Sequence, residues 1–286
     1  MRATTRLRNM LKTGKTVVAP GVYDGMSARL VAQAGFTAAY ASGGAIARGN
    51  GIPDLGLLSL AEIAQRLEQI VDVVDIPVIA DADNGYGNAL NAQRAAHAFE
   101  RAGVAAFHLE DQTFPKRCGH YADKTVVSVS EMVGKLKAVR DALHDSDFVV
   151  IARTDAIAVE SFEAAIDRCH AYMAAGADVA FLDAPTSEAQ IADIARRLPG
   201  WKLINMFHGG KTPLLPAARL QELGFNIVII PSDLQRAAIK AMKRTLAAIT
   251  RDGSSAKVLS DLAGFDERED LVATDEFLER GRRYAS

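Results

Sequence analysis

Asp81-Ala82-Asp83, followed by Asn84-Gly85-Tyr86-Gly87, sets two carboxylates two residues apart at the end of an apolar run, with a glycine-rich turn behind them. Alternation along a strand aims Asp81 and Asp83 the same way. Two like charges that close repel unless a cation lies between them, and oxygen ligands with water suit Mg²⁺, or Mn²⁺ in its place. Glu110, at the end of another apolar run, and Asp54, in Pro53-Asp54-Leu55-Gly56, extend that shell directly or through water. Helix caps and turn residues are the competing use of the same acids.

Lys116-Arg117-Cys118-Gly119-His120 places a thiol beside three residues that can carry positive charge. Such a thiol has a lowered pKa and suits a proton donor or nucleophile; a surface loop with an incidental cysteine is the alternative. Arg153 ends an apolar run, and is either a bidentate clamp on a substrate carboxylate or half of a structural ion pair. Ser42-Gly43-Gly44 offers a hydroxyl and bare backbone N–H groups to carboxylate oxygens. The stretch from Asn205 to Gly209-Gly210-Lys211-Thr212 adds an amide, a cation and a second anion-friendly turn. Together these residues describe acidic metal ligands facing carboxylate grips under a thiol loop, which fits a small polycarboxylate chelated to Mg²⁺.

Such residues need a scaffold that gathers them at one place. Short apolar runs are expected as strands at Thr16–Ala19, Thr37–Ala41, Pro77–Ala82, Ala105–Glu110, Phe148–Arg153, Asp178–Leu182, Lys202–Asn205 and Asn226–Ile230. Most are continuously apolar, as strands of a parallel sheet buried by helices are. Amphipathic helical patterns lie between them, with Leu60, Ile63, Leu67, Ile70 and Val74 on one face, and likewise Ile239, Met242, Leu246 and Ile249. Asp24, Ser59 and Ser128 or Ser130 are start signals, and Gly35, Gly103, Gly176 and Gly224 are stops. Eight such units without a linker point to one α/β domain over residues 1–286, a (β/α)8 TIM barrel, with 254–286 as a C-terminal helical appendage. A doubly wound open sheet is the competing architecture. In a barrel all strand C-termini open on one face, which is where the polar residues above collect.

The chain has 286 residues, 33 Lys+Arg and 35 Asp+Glu, for a net charge of −2. That balance argues against a nucleic-acid or membrane-surface partner. No apolar run approaches the roughly 18 residues of a spanning helix, and the N-terminus has no apolar signal core. The two cysteines, Cys118 and Cys169, make no disulfide framework, and a reducing cytoplasm is expected; Cys169 reads as a buried thiol within a helix.

The motifs SGG, PDLG, DADNGYGN, HLEDQ, KRCGH, ARTDA and NM…GGKTPL occur in an order that resembles the isocitrate lyase/phosphoenolpyruvate mutase superfamily over nearly the whole chain. The resemblance implies a (β/α)8 barrel whose last helix is exchanged between neighbouring subunits, commonly in tetramers, which gives the tail an oligomerisation role. It matches Asp81 and Asp83 to the Mg²⁺-holding pair, with Asp54 and Glu110 around it. Ser42, Gly43 and Gly44 match the turn that binds the oxo-acid carboxylate. Asn205, Gly210 and Thr212 match a far-side carboxylate pocket. Arg153 and His108 match residues at the site, and Tyr23 a tyrosine that handles the hydroxyl proton. KRCGH matches the lyase loop, in which Cys118 delivers a proton and Gly119 and His120 close over the substrate. Asp183 stands where most lyases of the family have Glu and, one methylene shorter, is expected to reach the metal water or the substrate differently.

The implied reaction is Mg²⁺-dependent cleavage of a 2-hydroxy di- or tricarboxylate in the retro-aldol sense. A 2-methylisocitrate or 2,3-dimethylmalate type substrate would give pyruvate plus succinate or propionate. An oxaloacetate hydrolase or decarboxylase on the same site, and a non-catalytic dicarboxylate-binding barrel, stand as alternatives. The intact cysteine motif disfavours the phosphonate mutases.

Overall fold

The computed structural model describes residues 1–117 and 124–285. Its apolar runs form β1 (Val17–Val22), β2 (Ala39–Ala41), β3 (Val78–Asp81), β4 (Ala106–Glu110), β5 (Val149–Thr154), β6 (Val179–Leu182), β7 (Trp201–Asn205) and β8 (Ile227–Ile230). They pair in sequence order, all parallel, and close between β1 and β8, so the architecture is the (β/α)8 barrel and not an open sheet. Six of the eight expected strands agree to within one residue at each end. Two differ: β2 starts two residues later, and β1 runs on through Pro20-Gly21 to Val22. Proline normally argues against a paired strand because it lacks an N–H. Here Pro20 stands opposite Ile230 and Gly21 opposite Tyr40, and the absent side chain at Gly21 is what allows closure. A Cβ there would lie 2.1 Å from the carbonyl oxygen of Pro231.

Strand alternation sorts the side chains. Val17, Ile79, Ala106, Ile151, Phe181, Leu203 and Ile229 fill the barrel interior, while Ala80, Phe107, Val150, Ala152 and Ile204 pack outward under the helices. One to two steps further along the inward rows come Asp81, His108, Glu110, Arg153, Asp183 and Asn205, at the C-terminal ends.

The helix starts follow the side-chain chemistry. Asp24 and Ser59 each cap a helix reciprocally with the third residue on, and Ser128, not Ser130, caps helix 129–142. Such a cap contributes about 1 kcal/mol. Among the helices with no counterpart in the sequence expectations, Ala3–Lys12 closes the N-terminal end of the barrel. Leu7 and Leu11 join the interior core, and Arg8 donates to the carbonyls of Asp147 and Phe148 and to Asp178. Cys169 is a free, fully buried thiol in helix 162–174.

Helix 233–252 buries little against its own barrel. Its stripe of Ile239, Met242, Leu246 and Ile249 is 39% to 61% exposed. The following segment carries short helices at 265–271 and 274–283, and the first of them touches helix 25–33. No helix among the described residues is long and apolar enough to cross a membrane.

Gly21→Ala is expected to destabilise the fold by about 1–3 kcal/mol, since the new methyl meets backbone that cannot rotate away. Urea midpoints of the two proteins measure this, and equal midpoints would show that β1 and the segment after β8 can separate at no cost.

Candidate active site

The C-terminal ends of the strands enclose a cavity of about 880 Å³, including its open mouth. Register brings its charges together: Asp81 stands opposite His108, and Glu110 opposite Arg153. Asp81 Oδ2 accepts from the Tyr40 hydroxyl at 3.3 Å, and the same hydroxyl lies 2.7 Å from His108 Nε2. Asp83 lies past the end of β3 with φ +47°, and its backbone N–H donates to Asp81 Oδ1 at 3.1 Å. The two acids therefore converge through a turn, not through the simple alternation expected. Lys116 Nζ enters this group, 2.5 Å from Asp54 Oδ1 and 2.6 Å from Asp83 Oδ1.

On the other side of the floor, Arg153 pairs with Asp155 at 2.9 Å, Asp183 at 3.2 Å and Glu110 at 3.3 Å, with its guanidinium over the Phe181 ring. Lys124 pairs with Asp155 at 2.6 Å. In this structure Arg153 thus takes the ion-pair alternative while still lining the cavity. Lys124 and Asp155 were not singled out from sequence, although Asp155 stands inside ARTDA; nothing in the local pattern shows that a lysine 31 residues away will meet it.

The glycines after Ser42 begin the short helix 43–49, capped by the Ser42 side chain, so the segment is not the free turn expected. Both are needed for close approach: a Cβ on Gly43 would lie 2.8 Å from Asp81 Oδ2, and one on Gly44 2.7 Å from Asp54 Oδ2.

Electrostatics show how crowded the acids are. Burial pushes Asp83 up to about 7, with Lys116 opposing and Asp81 and Asp54 adding to the push. Burial also raises Glu110 well above the ordinary carboxyl range despite Arg153, and its Oε1 has no hydrogen-bond partner among the described residues. Burial opposes ionisation of Asp81 too, but His108, Lys116 and Arg153 hold it down at about 2. Burial takes His108 down to about 4, so its ring is neutral at pH 7. Among the described residues, six carboxylates, of Asp54, Asp81, Asp83, Glu110, Asp155 and Asp183, thus share three buried cations, Lys116, Lys124 and Arg153. An all-oxygen donor set with excess negative charge, one orphaned oxygen and an ammonium already seated among the acids fits a hard divalent cation.

Above this floor the cavity is lined by Arg48, Arg117 and Arg236, and an apolar wall is made by Phe207, Ile229, Pro231 and Ile239. Ser42, Gly44, Asp183 and Asn205 also line it, and Asn205 Oδ1 is buried without a partner among the described residues. Tyr23, Gly43, Asp83, His108, Gly210 and Thr212 are not on the wall, although Asp83 reaches it through Lys116 and His108 through Tyr40. Tyr23 is half-buried beside Asp24; the tyrosine that faces the cavity is Tyr40, inward-pointing on β2 and overlooked because alanines surround it. Cys118, Gly119 and His120 lie outside the described residues.

A profile of the phosphoenolpyruvate phosphomutase family matches residues 7–250. The chain is 42% identical to the 2,3-dimethylmalate lyase of Eubacterium barkeri, over 100% of this chain and 99% of that one. It is 41% identical to the 2-methylisocitrate lyase of Aeropyrum pernix, over 96% and 88% respectively. A crystal structure of 2,3-dimethylmalate lyase, described as a PEP mutase/isocitrate lyase superfamily member, superposes with a TM-score of 0.95 at 37% identity, covering 100% of this chain and 96% of that one.

In metal-free protein, the raised Asp83 holds a proton between about pH 4 and about pH 7 that the unfolded chain has released, so stability falls as pH rises through that window. Asp81 acts oppositely and lower: its contribution is lost as pH falls from about 4 to about 2. Asp83→Asn should therefore make the decline from about pH 5 to about pH 7.5 shallower in EDTA-treated protein, read from urea midpoints. An unaltered slope would remove Asp83 as its source.

Proposed function

The chain belongs to the phosphoenolpyruvate phosphomutase family of the PEP mutase/isocitrate lyase superfamily, and on that premise we propose that it is a carbon–carbon lyase acting on a small 2-hydroxy di- or tricarboxylate of the 2,3-dimethylmalate or 2-methylisocitrate type. The observation that carries this reading is the division of the cavity into an acid-rich floor, an arginine-bearing rim and an apolar wall. A substrate with carboxylates at both ends and an alkyl group between them uses all three.

Asp81 and Asp83, with Asp54 and Glu110 behind them, are the residues to hold Mg²⁺ or Mn²⁺. When bound, such an ion neutralises the chelating hydroxyl and carboxylate oxygens of the 2-hydroxy acid. Ser42 and the backbone of Gly43 and Gly44 grip that carboxylate. Asn205, Arg48 and Arg236 receive the far carboxylate, and Gly210 and Thr212 support the turn behind Asn205. Arg153 is fixed by Asp155 and Asp183 so that it presents one charge without rotating away. Tyr40 and His108, 2.7 Å apart, form the hydrogen-bonded pair through which the hydroxyl proton leaves, a role the sequence had assigned to Tyr23. Breaking the C–C bond leaves pyruvate and an enediolate-like carboxylate, which Cys118 protonates while Gly119 and His120 cover the site. Lys116 and Lys124, which flank Cys118 in sequence, both pair with floor carboxylates, which supports a role for this stretch at the site.

We further propose a cytoplasmic homo-oligomer, a tetramer of helix-exchanged dimers; the exposed stripe of helix 233–252 supports self-association. Light scattering of purified protein should then give four times the chain mass.

With Mg²⁺ present, 2,3-dimethylmalate should yield pyruvate plus propionate, or 2-methylisocitrate pyruvate plus succinate. Acetate plus oxalate from oxaloacetate instead would overturn the lyase reading in favour of a hydrolase. Cys118→Ser should lower kcat by about 10²–10⁴-fold while leaving ligand binding nearly unchanged. Full activity in that variant would discard the thiol as proton donor.

A further inference from the structure

Helices 89–101 and 129–142 pack against each other on the outside of the barrel, and three side chains outside the catalytic cavity converge where they meet. His97 and Glu100 stand one turn apart on the first helix, and His144 follows the end of the second. We propose that His97, Glu100 and His144 form a binding site for a borderline divalent transition metal of the Zn²⁺ class, clamping the two helices together.

The donor atoms of the three residues all lie within 4.8 Å of one another. His144 Nδ1 and Glu100 Oε2 are 3.1 Å apart, close to the ~3.4 Å between neighbouring donors around a tetrahedral ion with bonds of ~2.1 Å. Glu100 is held in place for this. Its Oε1 accepts from the backbone N–H groups of His144 at 2.9 Å and Asp145 at 2.7 Å, which leaves Oε2 turned toward the imidazole. Fixing a ligand through its other atom is how metal sites set geometry before the ion arrives. The His97 ring lies 5.4 Å from that of His144, centroid to centroid, and the rings are tilted by 37°. Rotation of these two side chains brings both nitrogens to one point. Two imidazoles and one carboxylate select Zn²⁺-like ions over Mg²⁺, which takes oxygen ligands. The donor set therefore differs in kind from the all-oxygen floor of the cavity. His144 is exposed, which leaves an entry path and room for water as the fourth ligand.

The test is a Zn²⁺ titration of the full chain against a chromophoric chelator, with saturating Mg²⁺ present to occupy the cavity acids. Wild type should bind one equivalent that His97→Ala and His144→Ala each weaken by at least ~10-fold, since even a supporting residue is worth that much. Zn²⁺ should raise the Tm of wild type and not that of the double variant, whose lyase activity with Mg²⁺ stays at the wild-type level. A double variant that binds as many equivalents as wild type with the same affinity, or a wild type that binds none, overturns the proposal.

Discussion

Buried negative charge in excess of its partners is the constraint on which the mouth of this barrel depends. Parallel pairing sets Asp81 beside His108 and Glu110 beside Arg153, so the register that closes the sheet also fixes which charges meet. Isolated charges are costly to bury, and three cations cannot match six carboxylates. Without a further cation the acids answer by holding protons, as the raised Asp83 and Glu110 do. The repulsion is built in by backbone geometry, because glycine at 43 and 44 lets Asp81 and Asp54 approach where any side chain would collide. The proposed hold on a divalent cation would draw on the relief of that repulsion.

The same excess holds the two lysines that flank the thiol-bearing stretch in sequence. Lys116 and Lys124 stand at its two ends in sequence and reach different carboxylates, Lys116 to Asp54 and Asp83 and Lys124 to Asp155. Asp155 also holds Arg153, so the far anchor of the segment and the orientation of the arginine share one carboxylate. Anything that changes the charge at Asp83 changes the hold on Lys116. The charge on the floor and the hold on Lys116 are thus coupled through individual ion pairs, and buried pairs of this kind are screened little by salt.

The barrel was legible because its signal is repeated eight times, and an error of a residue at one strand end does not alter the count. Asp81, Glu110, Arg153 and Asn205 were legible for the same reason: each ends an apolar run, and all such ends share one face. What pairs with what was not. The ion pair of Lys124 with Asp155 and the contact of Tyr40 with Asp81 and His108 depend on which strands neighbour each other and on side-chain reach. A linear pattern encodes neither. Tyr23 was matched to its role through the family resemblance alone; it directly follows β1 but is not on the cavity wall, whereas Tyr40 on β2 is. Helix 3–12 escaped notice because only Leu7 and Leu11 bury deeply, too few to stand out as a stripe.

Ile239 links the cavity to the outer surface. It lines the apolar wall with Phe207 and Pro231, and it also begins the stripe that continues through Met242, Leu246 and Ile249. Gln235, one turn earlier, donates to the carbonyl of Ala45 in the short helix that starts at Gly43. The first turns of helix 233–252 are therefore held by the site, while Met242 and Leu246 further along its apolar face stay more than half exposed. A stripe of that length is stable only when covered. Covering it fixes the helix at its far end as well, and through Gln235 and Ile239 that constraint reaches the glycine turn and the wall against which an alkyl substituent would rest. In the proposed oligomer, rigidity at the cavity wall would depend on assembly, although the carboxylates that define the floor all come from a single chain.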